Sequence, residues 1–169
     1  MDLFNAILTR RSIRKYSDKL IPEMMIKDLL KAAMYAPSAM NNQAWQFVVI
    51  NNRQKLDSVL KVIPHAEMLK SAQAAILICG DVNFEKNIDY IQQNCSAATQ
   101  NLMLCAHGLG LGSCWIGVYP VKETISGLQE LFYLPEYAVP ISLVSLGYPA
   151  ENPTADERFK TEKIHFNQW

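Results

Sequence analysis

The sequence has no net charge, because 16 lysines and arginines are matched by 16 aspartates and glutamates. Such a chain has no global field to draw in nucleic acid or an anionic bilayer, so neither is an expected partner. No stretch approaches the roughly 18 uninterrupted apolar residues that a membrane span needs. A basic head followed by an apolar middle is also missing. Met1-Asp2-Leu3-Phe4 opens acidic and reaches arginines within ten positions, the reverse of a secretory signal, so a cytoplasmic protein is expected. Cys79, Cys95, Cys105 and Cys114 form no Cys-x-x-Cys pair, and His65, His107 and His165 have no ligand spacing with them. Buried, reduced thiols fit this pattern better than disulfides or a metal centre, with a catalytic cysteine as the lesser reading. Repeats, low-complexity tracts and linkers are absent.

What is present is a chain of 169 residues, half of them apolar. That length makes about one domain, able to bury roughly 70% of its unfolded surface. The domain is expected to span 1–169. Helical spacing runs from Asp2, placed as a cap, to Thr9. A second helix follows Pro22, with Met25, Ile26, Leu29, Leu30, Ala33 and Met34 at i, i+3, i+4 spacing, and must end near Tyr35 because Pro37 forbids continuation. Residues 46–50 read as a short buried strand, 54–62 as a helix, and 74–80 as a core strand. A short helix could start at Pro64.

The segment 89–107 reads as the longest helix. It is apolar on most sides, so a second copy of the chain is expected to cover it, with a central helix of a monomer as the lesser reading. Residues 120–131 suggest a further helix and 139–146 another strand. The apolar and aromatic residues of the tail, Ile164, Phe166 and Trp169, suggest that it docks on something. Helices alternating irregularly with about four strands give an α+β fold with a mixed central sheet flanked by helices.

Two blocks carry chemistry. Arg10, Arg11, Arg14 and Lys15 surround Ser12, a set able to hold a phosphate through charge-assisted forks and a hydroxyl, although short basic runs are more often solvated faces. Gly108, Gly110 and Gly112 follow a helix and precede a strand. A dinucleotide fingerprint has the opposite polarity and the order Gly-x-Gly-x-x-Gly, so a Rossmann site is rejected.

Four ordered blocks together are more specific than either alone. They are Arg10-Arg11-Ser12-Ile13-Arg14-Lys15-Tyr16, then Ala36-Pro37-Ser38 with Asn41 and Gln43-Ala44-Trp45, then Gly108 to Gly117, and finally Leu146-Gly147-Tyr148-Pro149-Ala150-Glu151 with Arg158 beyond. In this order, over nearly the full length, the chain resembles the nitroreductase family. The resemblance implies an intertwined homodimer whose ends embrace the partner, binding FMN at the subunit interface. It implies hydride transfer from NADH or NADPH to a small electrophile such as a nitroaromatic or a quinone, in two steps.

Matched to the family's pattern, Arg10 and Ser12 go to the phosphate or ribityl region and Arg158 to the same phosphate. Arg14 goes to the pyrimidine edge of the ring. Pro37, Ser38 and Ala39 match a segment reaching the flavin from the other subunit, and Asn41 and Gln43 match polar residues near ring and ribityl chain. Trp115, Ile116 and Gly117 match a strand end along N5 and O4. No side chain is assigned as acid or base.

Two departures stand out. Ala44 replaces the family's usual proline, and Thr154, Ala155, Asp156 and Glu157 stand where a second basic residue is usual, so the phosphate pocket is expected to be weaker or to be compensated by Arg11 or Lys160. The stretch between Asp81 and Asp89 is short where the family often carries covering helices, which suggests a more open site. Alternatives are a flavin-storing protein with little turnover, or a relative specialised for another electrophile or for destroying the flavin. A purely structural protein is the remaining possibility.

Overall fold

A computed structural model describes residues 1–154 and 156–169; Ala155, one of the four replacements before Arg158, lies outside the described residues. Five helices and four strands follow in the order α1 (Leu3–Thr9), α2 (Glu23–Met34), β1 (Trp45–Ile50), α3 (Arg53–Val62), β2 (Ala74–Asp81), α4 (Ile88–Gly108), β3 (Gly112–Gly117), α5 (Lys122–Phe132) and β4 (Ala138–Gly147). Side-chain caps set several starts: Asp2 accepts from the Asn5 amide, Asn52 from Lys55 and Asn87 from Asp89, each satisfying an N–H that a first helical turn leaves unpaired. Pro22 precedes the first residue of α2, and a 3-10 turn at Glu67–Lys70 takes the place of the short helix expected from Pro64.

The strands lie in the order β1-β2-β4-β3. All three ladders are antiparallel; the parallel component expected of a mixed sheet is confined, among the described residues, to the isolated bridge between Ser12 and Ser113. The α+β class and the helix-flanked sheet stand. Strand β2 is buried throughout, and its side chains still divide by the period of two. Ala74, Ile76 and Ile78 join Leu29, Leu102 and Val144 in one core, while Ala75, Leu77 and Cys79 join Leu56, Leu128 and Leu143 in the other. Helices therefore cover both faces, α2 and α4 on one, α3 and α5 on the other.

Helix α4 buries Ile91, Cys95, Ala98, Leu102, Met103 and Ala106 inside the protomer, while Ala97, Leu104 and Cys105 are only half-buried. Exposed apolar side chains gather at both ends of the chain. Leu3, Phe4, Ile7 and Leu8 of α1, and Phe159, Ile164, Phe166 and Trp169 of the tail, all face solvent. The last residues of the tail stay exposed, and their aromatic contact is internal, His165 stacked on Trp169 with centroids 4.3 Å apart. No helix among the described residues is long and apolar enough to cross a membrane.

Candidate functional site

The arginine-bearing segment leaves α1 and is stitched across the ends of β3 and β4. The Ile13 amide donates to the Ser113 carbonyl at 2.9 Å, Ser17 to Tyr148 at 2.9 Å, and Ala150 to Lys15 at 2.9 Å. Glu151 Oε1 accepts from the amides of both Arg14 and Lys15. Two glycines make room for this. A Cβ on Gly147 would sit 2.7 Å from Tyr16 carbons, and one on Gly112 would sit 2.8 Å from Ile13 Cβ, separations that real side chains do not tolerate without displacing the segment. Buried Tyr16 then anchors it, its hydroxyl donating to the Ile13 carbonyl and lying 2.7 Å from Ser145 Oγ.

So seated, the cations converge. Burial, the Arg158 charge and then the Arg11 charge lower the Arg10 pKa, so a residue 148 positions downstream in number lies close enough to repel it. Arg10 Nη1 and Arg11 Nε are buried with no hydrogen-bond partner among the described residues. Arg11 is partly engaged elsewhere, since its Nη1 donates to the Leu8 and Arg10 carbonyls at 2.8 Å each, closing the end of α1. Ion pairs among the described residues are Lys27–Glu23, Arg53–Asp57 and Lys70–Glu67; none neutralises this cluster. Desolvated like charges without counter-ions are costly, and an anion among them relieves the cost.

The acidic replacements Asp156 and Glu157 form no ion pair with the cluster among the described residues. Glu157 Oε1 accepts from the backbone amides of Arg158 at 2.8 Å and Phe159 at 2.7 Å, so its carboxylate is turned onto its own turn. Beside it, a cavity of about 520 Å³ carries Arg11, Arg158 and Glu157 on its wall with Ile7, Leu8 and Phe159. A smaller one of about 200 Å³ is lined by Arg11, His107 and Glu151. The separate 320 Å³ cleft at Leu20, Ile26 and Val49 has no arginine or lysine on its wall and lies away from this chemistry.

Ser12 and Arg14 belong to the same neighbourhood. Burial pushes the Cys114 thiol up, against the opposing influence of Arg14, Ser12 and Arg10, which places all three around one point on β3. Trp115 is half-buried, Ile116 buried and Gly117 exposed at the end of that strand, with open space where a Gly117 side chain would stand. His107 was not foreseen from its sequence context. It lies 2.9 Å from Thr9 Oγ1, and burial, Arg10 and Arg11 lower its pKa. The buried thiols of Cys79 and Cys95, pushed up to about 12 by burial, are inert.

The second predicted group lies elsewhere in the protomer. Residues 37–43 precede β1, whose Trp45 pairs with Gly80, whereas Arg10 to Arg14 cross the β3 edge. Three strand spacings, roughly 14 Å, separate the two edges. Met40, Asn41 and Gln43 all adopt left-handed backbone, with φ of 51°, 56° and 50°, each costing about 1–2 kcal/mol for an L residue. Ser38 Oγ accepts from the Gln43 amide at 3.0 Å, and Gln43 Nε2 donates to Asn41 Oδ1 at 2.9 Å. Ala44 is fully buried, and its carbonyl accepts from the Asp81 amide at 2.6 Å. The intervening residues 82–87 form a turn with no helix.

The sequence profile of the nitroreductase family matches residues 7–77 and 64–148. This chain belongs to the nitroreductase family. A Methanothermobacter thermautotrophicus relative named NADH dehydrogenase/NAD(P)H nitroreductase is 46% identical over all of this chain and 88% of its own length. A crystal structure under the same name from Bacteroides thetaiotaomicron, 36% identical, superposes with a TM-score of 0.94, covering 99% of this chain and 98% of that one. A Desulfovibrio desulfuricans nitroreductase crystallised with FMN is 28% identical, with a TM-score of 0.86 over all of this chain and 98% of its own.

Proposed function

We propose that the chain is an FMN-dependent NAD(P)H oxidoreductase, acting as a homodimer with FMN between the subunits and reducing small nitroaromatic, quinone or related conjugated electrophiles. One observation carries the reading: Arg10, half-buried with an unpartnered guanidinium nitrogen, feels the charge of Arg158 from far along the chain, and no ion pair among the described residues engages either arginine. Guanidinium forks there would hold a phosphate dianion through paired, charge-assisted bonds, with Ser12 adding a hydroxyl.

Arg14 would stand at the pyrimidine edge of the ring, where a cation favours negative charge on the reduced cofactor. The Trp115–Gly117 strand end would lie along the ring, with exposed Gly117 adding no bulk. Ser38, Asn41 and Gln43, with Pro37 and Ala39 shaping their loop, would reach the cofactor of the neighbouring subunit, since within one protomer they lie at the far edge of the sheet. FMN held by these residues would supply the redox chemistry, carrying a hydride equivalent between the nicotinamide and the acceptor. The chain's contribution is orientation and electrostatics, and none of its side chains is assigned as an acid or base.

A flavin-storing role gained its weight from the acidic residues before Arg158. One Glu157 oxygen accepts from backbone amides and no ion pair among the described residues joins Glu157 to Arg158, which leaves the Arg158 guanidinium available to an anion. The test is anaerobic addition of NADH, then NADPH, to FMN-loaded protein, followed by menadione or nitrofurazone. Bleaching of the flavin band at about 450 nm and its return with acceptor are expected. Bound flavin that neither nicotinamide reduces would replace this reading with storage.

A further inference from the structure

The strained loop before β1 does not hold its shape alone. Three left-handed residues within four positions persist only where surrounding contacts over-determine them, and two of those contacts come from buried side chains distant in sequence. Asn94 of α4, 4% exposed, accepts from the Ala39 amide at 3.0 Å. Glu85, 8% exposed, accepts from Asn42 Nδ2 at 2.8 Å through one oxygen and from the Asn87 amide at 2.8 Å through the other.

Glu85 enters none of the ion pairs among the described residues, so its charge is met by N–H dipoles. Each oxygen has a separate duty. One ties down the turn that leads into α4, and the other reaches across to the loop.

We propose that Glu85 is a positioning residue for cofactor binding: through Asn42 it fixes the loop carrying Ser38, Asn41 and Gln43 in the shape offered to the flavin of the neighbouring subunit. The inference rests on the flavin reading above. Its mechanism is local. Asn42 lies between the two loop residues assigned to the cofactor, so releasing its amide lets Asn41 and Gln43 leave the left-handed region, and cofactor binding must then reorder them. The N–H donors, that of Asn87 foremost and then that of Asn42, hold the carboxyl below its ordinary range, as expected if both bonds form in the folded chain.

The obvious alternative is that Glu85 only caps the approach to α4. Asn42→Ala separates the two, because it cuts the loop bond and leaves the Glu85–Asn87 bond in place. We expect Asn42→Ala and Glu85→Ala each to weaken FMN binding to cofactor-free protein about tenfold, and the double variant to be no weaker than either single, as for two ends of one contact. Glu85→Gln should stay within about threefold of wild type, since the Asn42 amide can turn to accept from the new NH₂ group.

Amide exchange at Ala39 and Gln43 in cofactor-free protein should rise about tenfold in both alanine variants and stay unchanged in Lys86→Ala, an exposed neighbour. If Glu85→Ala fails to fold, Asn42→Ala decides. Wild-type FMN affinity and exchange in Asn42→Ala overturn the proposal while leaving the flavin site intact. A wild-type chain that takes up no FMN overturns the flavin reading itself, and this inference with it.

Discussion

The arginine segment and the loop before β1 are both assigned to one cofactor, yet they are built in opposite ways. Residues 10–17 are held by main-chain bonds to β3 and to the residues just after β4 and by two glycines that make space, and their cations enter no ion pair among the described residues. Residues 37–43 depend instead on left-handed backbone and on side chains 43 and 55 positions away. One half is a rigid shelf with unsatisfied charge; the other is a shaped loop with nearly satisfied polar groups. In the proposed dimer the shelf supplies affinity and the loop supplies fit, so damage to each should register differently.

The largest effect is expected on the shelf. Arg10→Ala or Arg158→Ala removes a charged hydrogen-bond donor worth about 1.5–3 kcal/mol, or roughly ten- to 150-fold in FMN affinity, read by flavin fluorescence titration. Equal losses in the two variants would sharpen the picture of one shared anion; an Arg158 variant at wild-type affinity would break it. Next comes the seat. Gly147→Ala forces a methyl to within 2.7 Å of Tyr16 and should cost about 1–3 kcal/mol in denaturant unfolding. Gly108→Ala, at the end of α4, meets no atom within 4 Å and should stabilise by up to about 1 kcal/mol.

His107 reports on the same shelf. Its pKa is lowered by burial and by Arg10 and Arg11, so the unfolded chain takes up this proton first. Its contribution therefore turns unfavourable as pH falls through the ordinary value of 6.5, and grows until the folded-state pKa is passed. An FMN phosphate among the arginines should raise the His107 pKa toward normal, as followed by NMR titration with and without cofactor. An unchanged value would separate the histidine from the anion site.

The smallest effect is expected in the loop. Met40→Gly relieves a left-handed residue whose side chain is 87% exposed, but unfolded-state entropy takes most of that gain back, leaving within about 0.5 kcal/mol of wild type in thermal unfolding.

Much of the fold was legible because its signals are local. The cap at Asp2, the stop before Pro37 and the apolar run of β2 each act within a few residues, and the five helices, β1, β2 and β4 formed within about two positions of their expected bounds. Strand direction was less legible. Pairing of β2 with both β1 and β4 depends on contacts more than 20 residues apart, which no window on the sequence reports.

The cations at 10 and 158 were legible through their order along the chain, but not what surrounds them. The seat at Gly147, the backbone duty of Glu157, the placement of His107 and the hold of Glu85 and Asn94 on the loop all arise from tertiary contact. Ala44 illustrates the difference. In the sequence it is only an alanine where the family usually has proline; in the fold it is a fully buried residue whose carbonyl ties the loop to the end of β2.

The most direct test of a site divided between two chains is subunit complementation. A protomer carrying Arg10→Ala would be co-refolded in equal amounts with one carrying Asn41→Asp and Gln43→Glu, and tight FMN sites counted. If shelf and loop come from different subunits, each mixed dimer regains one undamaged site, and about a quarter of all sites should bind as wild type. If a single protomer supplied both, no site would recover, and the account would be wrong.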